Sequence, residues 1–216
     1  IVMRDGVEVS SSPLDAPTVR EAVRLVREAT SGPDAIDGGL VMCGKKFAYV
    51  ERTDDEYVAG VMPYYHRTKR VDDQLDVINA IESGDLDDAI VKLAVYTPGP
   101  VAPLAQATLA NFAHSHQYAI SGANWADLQV RGVDKGRAVR DLQRFLGVTR
   151  EQTAVFGDAG NDLSMMSEGD LSFAMANASP DVVEAARFVA PSNNEAGVAQ
   201  VLRVLLGDDP LVKDRL

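Results

Sequence analysis

A chain of 216 residues can hold one or two domains, and its 46% hydrophobic and 25% charged residues are ordinary for a globular protein. The formal net charge of −11 argues against the basic face that a nucleic-acid partner needs, and the single Cys43 excludes an intrachain disulfide. No apolar run reaches the roughly 18–20 residues of a membrane span and no signal peptide is visible, so a reducing cytoplasm is the expected setting.

Residues 1–11 read as a hairpin turning at Asp5-Gly6, a strong two-residue turn signal between apolar runs. A break at 13–17 precedes a helix over about 17–30, with Val19, Ala22, Val23, Val26 and Ala29 on one face. A second hairpin is expected over 39–52, a helix within 54–66, and a short helix near 74–82 in an otherwise polar stretch. Ala89 to Thr97 reads as a strand, 101–114 as an amphipathic helix, and 118–120 with 125–130 as a strand pair. This order predicts an α+β module with antiparallel strands and helices on one face.

After Gly132 the pattern alternates helix and strand. A helix over about 135–146 ends at Gly147, where a C-cap glycine belongs. Apolar runs at 153–157, 171–175 and 187–190 read as strands, with helices over 180–186 and from about 195. This is half of a parallel, doubly wound sheet, so the expected class is α/β with an inserted α+β domain. The expected boundaries are a flanking hairpin over 1–12, the α+β domain over 13–129 and a core portion over 130–216. Two crossings, near 11–14 and 130–134, predict a hinge between the domains.

The most informative stretch is Val155-Phe156-Gly157-Asp158-Ala159-Gly160-Asn161-Asp162, an apolar strand running into a turn that holds two carboxylates and an amide. It places Asp158, Asn161 and Asp162 at the carboxyl end of a strand, the edge where ligands bind in open α/β sheets. Two hard oxygen ligands suit Mg²⁺, which takes one or two carboxylates plus waters and phosphate oxygens. Alternatively, Asp158 caps the next helix, Asn161 is a turn residue and Asp162 complements a helix dipole. Lys135 begins a helix, an unfavourable position for a cation on dipole grounds, which hints at another task.

The segment closely resembles the last motif of the haloacid dehalogenase superfamily, in its Gly-Asp-x-x-Asn-Asp form, as in Cof-type phosphatases. That resemblance implies a doubly wound core with a large α+β cap, Mg²⁺ held by Asp158 and Asp162, and a phosphate contact from Asn161. Gly132-Val133-Asp134-Lys135-Gly136 resembles the third motif, which makes Lys135 both a catalytic and a substrate-binding residue. The implied reaction is hydrolysis of phosphate monoesters of small, sugar-phosphate-like metabolites through an aspartyl phosphate. The implied partner is therefore a small phosphorylated metabolite, with no nucleic acid and no membrane, in a monomer or homodimer.

The superfamily's first motif, Asp-x-Asp-Gly-Thr after a strand, is absent from the sequence, and so is a recognisable second one. The expectation is that two N-terminal βα units, roughly 30 residues each, are missing, that one edge of the 153–157 strand is unpaired, and that these residues alone show no turnover. Two other readings stay open: a phosphomutase, which would need an Arg cluster that the sequence lacks, and a relative that only binds or assembles. His114 and His116 read as a helix end, Cys43 as an apolar filler in a strand, and Trp125 as a packing residue.

Overall fold

The computed structural model describes residues 1–207. In chain order they form β1 (Val2–Arg4), β2 (Val7–Ser10), α1 (Ala16–Ala29), β3 (Gly39–Gly44), β4 (Ala48–Val50), α2 (Asp55–Val61), β5 (Thr68–Arg70), α3 (Gln74–Ser83), β6 (Ile90–Tyr96), α4 (Ala102–Ala107), β7 (Gln117–Ile120), β8 (Trp125–Gln129), α5 (Lys135–Leu146), β9 (Ala154–Gly157), α6 (Leu163–Met166), β10 (Leu171–Met175), α7 (Pro180–Ala185), β11 (Phe188–Ala190) and α8 (Gly197–Leu205). They divide into two compact units, one spanning Ser11–Val133 and the other combining Val2–Ser10 with the described residues from Asp134. Among the described residues no helix is long and apolar enough to cross a membrane.

The first unit is built on a six-stranded sheet of order β5-β4-β3-β6-β8-β7, antiparallel except for the parallel β4–β5 pair. Alternation along β3 sorts its side chains. Leu40 and Met42 enter a core with Val19, Val23 and Val26 of α1, Ile78 of α3 and Leu104 of α4. Val41 and Cys43 join a second cluster with Val50, Tyr57, Val61 and Ala94. The expectation of helices on one face is therefore corrected: α2 packs on the opposite face, through Tyr57 and Val61.

Two local departures have physical causes. β5 is a strand of Thr68, Lys69 and Arg70, held by its backbone ladder to β4 rather than by apolar side chains. Charged residues suit an edge strand, so no hydrophobic alternation announces it. The helix expected over 101–114 stops at Ala107 and resumes as a 3₁₀ turn over Leu109–Phe112. Thr108 breaks it: its φ of −124° and ψ of −91° leave the helical region while its hydroxyl bonds back to the Leu104 carbonyl at 2.6 Å.

The cap of α2 carries a pH dependence. Asp54 accepts the Tyr57 N–H at 3.1 Å, and the Arg52 guanidinium beside it, more than any other group, lowers its carboxyl to about 2. A depressed acid contributes stability above its unfolded value, near 3.9, and that contribution fades as pH falls through the folded one. Asp54→Ala should therefore lower the melting temperature at neutral pH, with the gap to the parent closing toward pH ~2. A gap that stays constant with pH would contradict this role.

In the second unit β9, β10 and β11 form a parallel sheet of order β11-β10-β9. Among the described residues β9 pairs only with β10, so its outer edge carries no strand. One face packs Val155, Ala174, Met166 of α6 and Val182 of α7 against Val139 of α5. The other face carries a row of rings from Phe156, Phe173 and Phe188, with centroids 4.9 and 5.2 Å apart, beside Val201 of α8. Along β9 Val155 and Gly157 are buried while Ala154 and Phe156 are half-buried. The hairpin β1–β2 turns at Asp5 and Gly6, both at positive φ, and Ser10 donates to Asp141 of α5 at 2.6 Å.

Candidate active site

Four residues singled out from the sequence lie in the second unit, on two segments. Gly157 ends β9, and the chain passes through Asp158 and Ala159 into a 3₁₀ turn over Gly160–Asp162 that leads directly into α6. Lys135 is the first residue of α5, just after Asp134, whose carboxylate accepts the Arg137 N–H at 2.8 Å.

Asp162 is the hub. It is buried at 3% exposure, and its Oδ2 accepts the backbone N–H of Asp158 at 2.9 Å and of Ala159 at 3.3 Å. Its Oδ1 accepts from the Lys135 ammonium across 27 residues of sequence. Burial by itself would raise the Asp162 carboxyl, but the Lys135 bond and the two N–H groups outweigh it and hold the group below the ordinary carboxylate value. The ion pair also answers the dipole question, because a cation at the start of α5 is stabilised by a buried carboxylate from another element.

Asp158 and Asn161 differ from Asp162 in being exposed. The Asp158 backbone is held on both sides, its N–H by Asp162 and its carbonyl by the Ser179 N–H at 2.9 Å. Its carboxylate makes no hydrogen bond or ion pair among the described residues, and neither does the Asn161 amide. The geometry thus divides the two carboxylates: Asp162 is committed to the turn and to Lys135, and Asp158 is available to a ligand. Among the described residues no three His, Cys, Asp or Glu side chains converge on a point. The donor set still fits Mg²⁺, which characteristically takes one or two carboxylates and completes its shell with water and phosphate oxygens.

Neighbouring residues hold this arrangement. Ser164 of α6 accepts the Gly136 N–H at 3.0 Å, tying the start of α5 to the turn. A Cβ on Gly136 would lie 2.2 Å from the Ser164 carbonyl oxygen, and one on Gly157 would lie 2.6 Å from the Asp162 Cβ. Both glycines are therefore required by close approach. Gly136→Ala should cost about 1–3 kcal/mol, read as a lowered midpoint in urea, because a backbone carbonyl must move; an unchanged midpoint would contradict the contact. Asp181 of α7 was also not singled out from sequence, and its Oδ2 lies 3.9 Å from where a Gly160 Cβ would be. Its only sequence signal is a position in the first turn of a helix.

The chain is similar to known proteins over most of its length. The family model of haloacid dehalogenase-like hydrolases matches residues 2–202. The 5-amino-6-(5-phospho-D-ribitylamino)uracil phosphatase YbjI of Escherichia coli is 32% identical over 169 residues, 77% of this chain and 59% of that protein. The chain thus spans about three-fifths of that relative's length. A crystal structure from Eubacterium rectale superposes with a TM-score of 0.78 at 23% identity, covering 94% of this chain and 73% of that one. A sugar phosphatase of subclass IIB of the superfamily superposes with a TM-score of 0.62 at 16% identity, over 90% of this chain and 68% of that one. The fold is that of the haloacid dehalogenase superfamily, and the chain belongs to the haloacid dehalogenase-like hydrolases.

Proposed function

We propose that the protein hydrolyses phosphate monoesters of small metabolites with Mg²⁺ as cofactor. The observation that carries this reading is the turn after β9, where the buried Asp162 pairs with Lys135 and leaves the Asp158 carboxylate exposed. Asp158 would hold Mg²⁺ directly, and Asp162 would act behind it by fixing the turn and the ammonium. When bound, the ion polarises a phosphoryl oxygen and offsets its charge. Lys135 places a second positive charge at the start of α5, where it stabilises charge that develops on a transferring phosphoryl group. Asn161, exposed on the same turn, is positioned to donate its amide N–H to a phosphate oxygen.

The resemblance of this turn to phosphatase motifs, together with relatives named as phosphatases, supports the substrate class. The test is inorganic phosphate release from a panel of sugar and nucleotide monophosphates. In a protein that also carries the nucleophilic Asp, which these residues lack, the reading predicts release in MgCl₂ that stops on chelation with EDTA; release indifferent to EDTA would contradict it. The lack of an Asp-x-Asp-Gly-Thr motif in the 216 residues favours a second reading, in which they bind phosphate and Mg²⁺ without turnover. Saturable phosphate binding with no release from any ester would select it.

A further inference from the structure

A recess of about 430 Å³ opens in the first unit at the start of β3. That volume lies within the roughly 300–1,000 Å³ of small-molecule sites. Sequence explains its shape. Gly38 and Gly39 present no side chains there, and a Cβ on Gly39 would lie 3.0 Å from the Tyr57 hydroxyl. The cavity therefore runs past these glycines, from Val23 and Val26 of α1 to Tyr57 of α2. Ile36 and Leu40 complete its apolar walls, and Glu51 and Gln74 join Tyr57 among its polar ones.

The polar walls hold used donors and unused acceptors. Gln74 is 2% exposed, and its amide nitrogen donates to the Leu40 and Tyr49 carbonyls at 3.0 and 2.9 Å. Those two acceptors fix the orientation of the amide and leave its oxygen without a donor among the described residues. Glu51 uses one oxygen, Oε1, for both the Arg27 guanidinium and the Gln74 N–H, at 2.5 and 2.7 Å, and its Oε2 is left over. Tyr57 is 1% exposed, and its buried hydroxyl has no hydrogen-bond partner among the described residues. A buried hydroxyl left unpaired is costly, and this one points to a ligand. The cations, in contrast, are committed. Arg27 bridges Glu51 and Asp73, while Arg52 binds Asp37 and, through two nitrogens, Asp54.

Two guanidinium groups thus answer four carboxylates, and the local balance is negative. A phosphate or carboxylate ligand finds no unpaired cation there. A cation with several N–H donors finds three acceptors and a favourable field. We propose that the recess binds a primary alkylammonium ion. Its ammonium donates among Glu51, Gln74 and the Tyr57 hydroxyl, and its aliphatic stem lies against Val23, Val26 and Ile36, where burial removes it from water. Such a ligand is opposite in charge to a phosphate monoester, so its binding can be measured apart from the reaction proposed above.

The experiment is a calorimetric titration at constant ionic strength with n-pentylammonium chloride, beside ammonium chloride and sodium pentanoate. The expected result is saturable binding of pentylammonium, at a Kd at least about tenfold below that of ammonium, and none of pentanoate. Tyr57→Phe removes only a hydroxyl that bonds to nothing, so it should weaken binding about fivefold while keeping or raising the urea midpoint. Ala35→Lys, at an exposed residue of the recess, tethers a competing ammonium there and should weaken binding about tenfold. The exposed Asp158 carboxylate also attracts cations, so Asp158→Ala is the control and should bind pentylammonium as the parent does, with or without inorganic phosphate. No saturable binding, equal binding of pentanoate, unchanged affinity in Tyr57→Phe or Ala35→Lys, or loss of binding in Asp158→Ala would each overturn the proposal.

Discussion

In a protein that also carries the nucleophilic Asp, Asp158→Ala should lower Mg²⁺-dependent phosphate release by more than about 100-fold, since even residues one step behind a metal ligand cost 10–100-fold when replaced. The same substitution should barely change stability. The Asp158 carboxylate is exposed and bonds to nothing among the described residues, while the turn is held by its backbone N–H and carbonyl, which alanine keeps. Surface substitutions of this kind stay within about 0.5 kcal/mol. Measuring kcat/KM on p-nitrophenyl phosphate beside the urea midpoint separates the two effects. Near-parental activity in a folded Asp158→Ala protein would remove the assignment.

Asp162→Ala should behave in the opposite way, as a stability variant first. Asp162 is buried, and deleting its carboxylate leaves the N–H groups of Asp158 and Ala159 without their acceptor and Lys135 without its anion. Each buried donor left unpaired costs about 1–3 kcal/mol, and the partial exposure of this turn places the total near ~3 kcal/mol. Asp162→Asn keeps a carbonyl oxygen for the two N–H groups and loses only the charge toward Lys135, so it should cost less than the alanine variant. Lys135→Met should cost least, because half of the lysine side chain is exposed and its charge is partly screened. Urea midpoints in the order Lys135→Met, Asp162→Asn, Asp162→Ala, from highest to lowest, are expected. If Asp162→Ala is as stable as the parent, the carboxylate does not organise the turn.

Much of this arrangement is legible in sequence because it rests on local chemistry. Asp5-Gly6 names its own turn, and Gly147 adopts the left-handed conformation that ends α5. Asp15 caps α1 with a 2.8 Å bond from the Thr18 N–H, and the buried positions of that helix are those of its apolar spacing. What is not legible depends on partners distant in sequence. Thr68–Arg70 becomes a strand only because β4 offers a backbone edge. Tyr57 and Val61 of α2 chose the second face of the sheet, a choice that no spacing within seven residues encodes.

The candidate site shows the same division. Its residue types and their spacing on one turn are visible in the sequence from Gly157 to Asp162. The different tasks of the two carboxylates are not. They follow from the burial of Asp162 and from a lysine 27 residues upstream that enters from another helix. Gly136 stands in a motif read from sequence, but its task, like that of Ser164, shows only in a 3.0 Å bond and a close backbone approach that hold the helix start against the turn.

The most direct measurement is a calorimetric titration of the protein with MgCl₂, in parallel with Asp158→Ala and Asn161→Ala. The exposed Asp158 carboxylate is the ligand in this account, so the parent and Asn161→Ala should show saturable Mg²⁺ binding and Asp158→Ala should show none. Inorganic phosphate added to the Mg²⁺-loaded parent should then bind, and more weakly to Asn161→Ala. Mg²⁺ binding by Asp158→Ala equal to that of the parent would contradict the account.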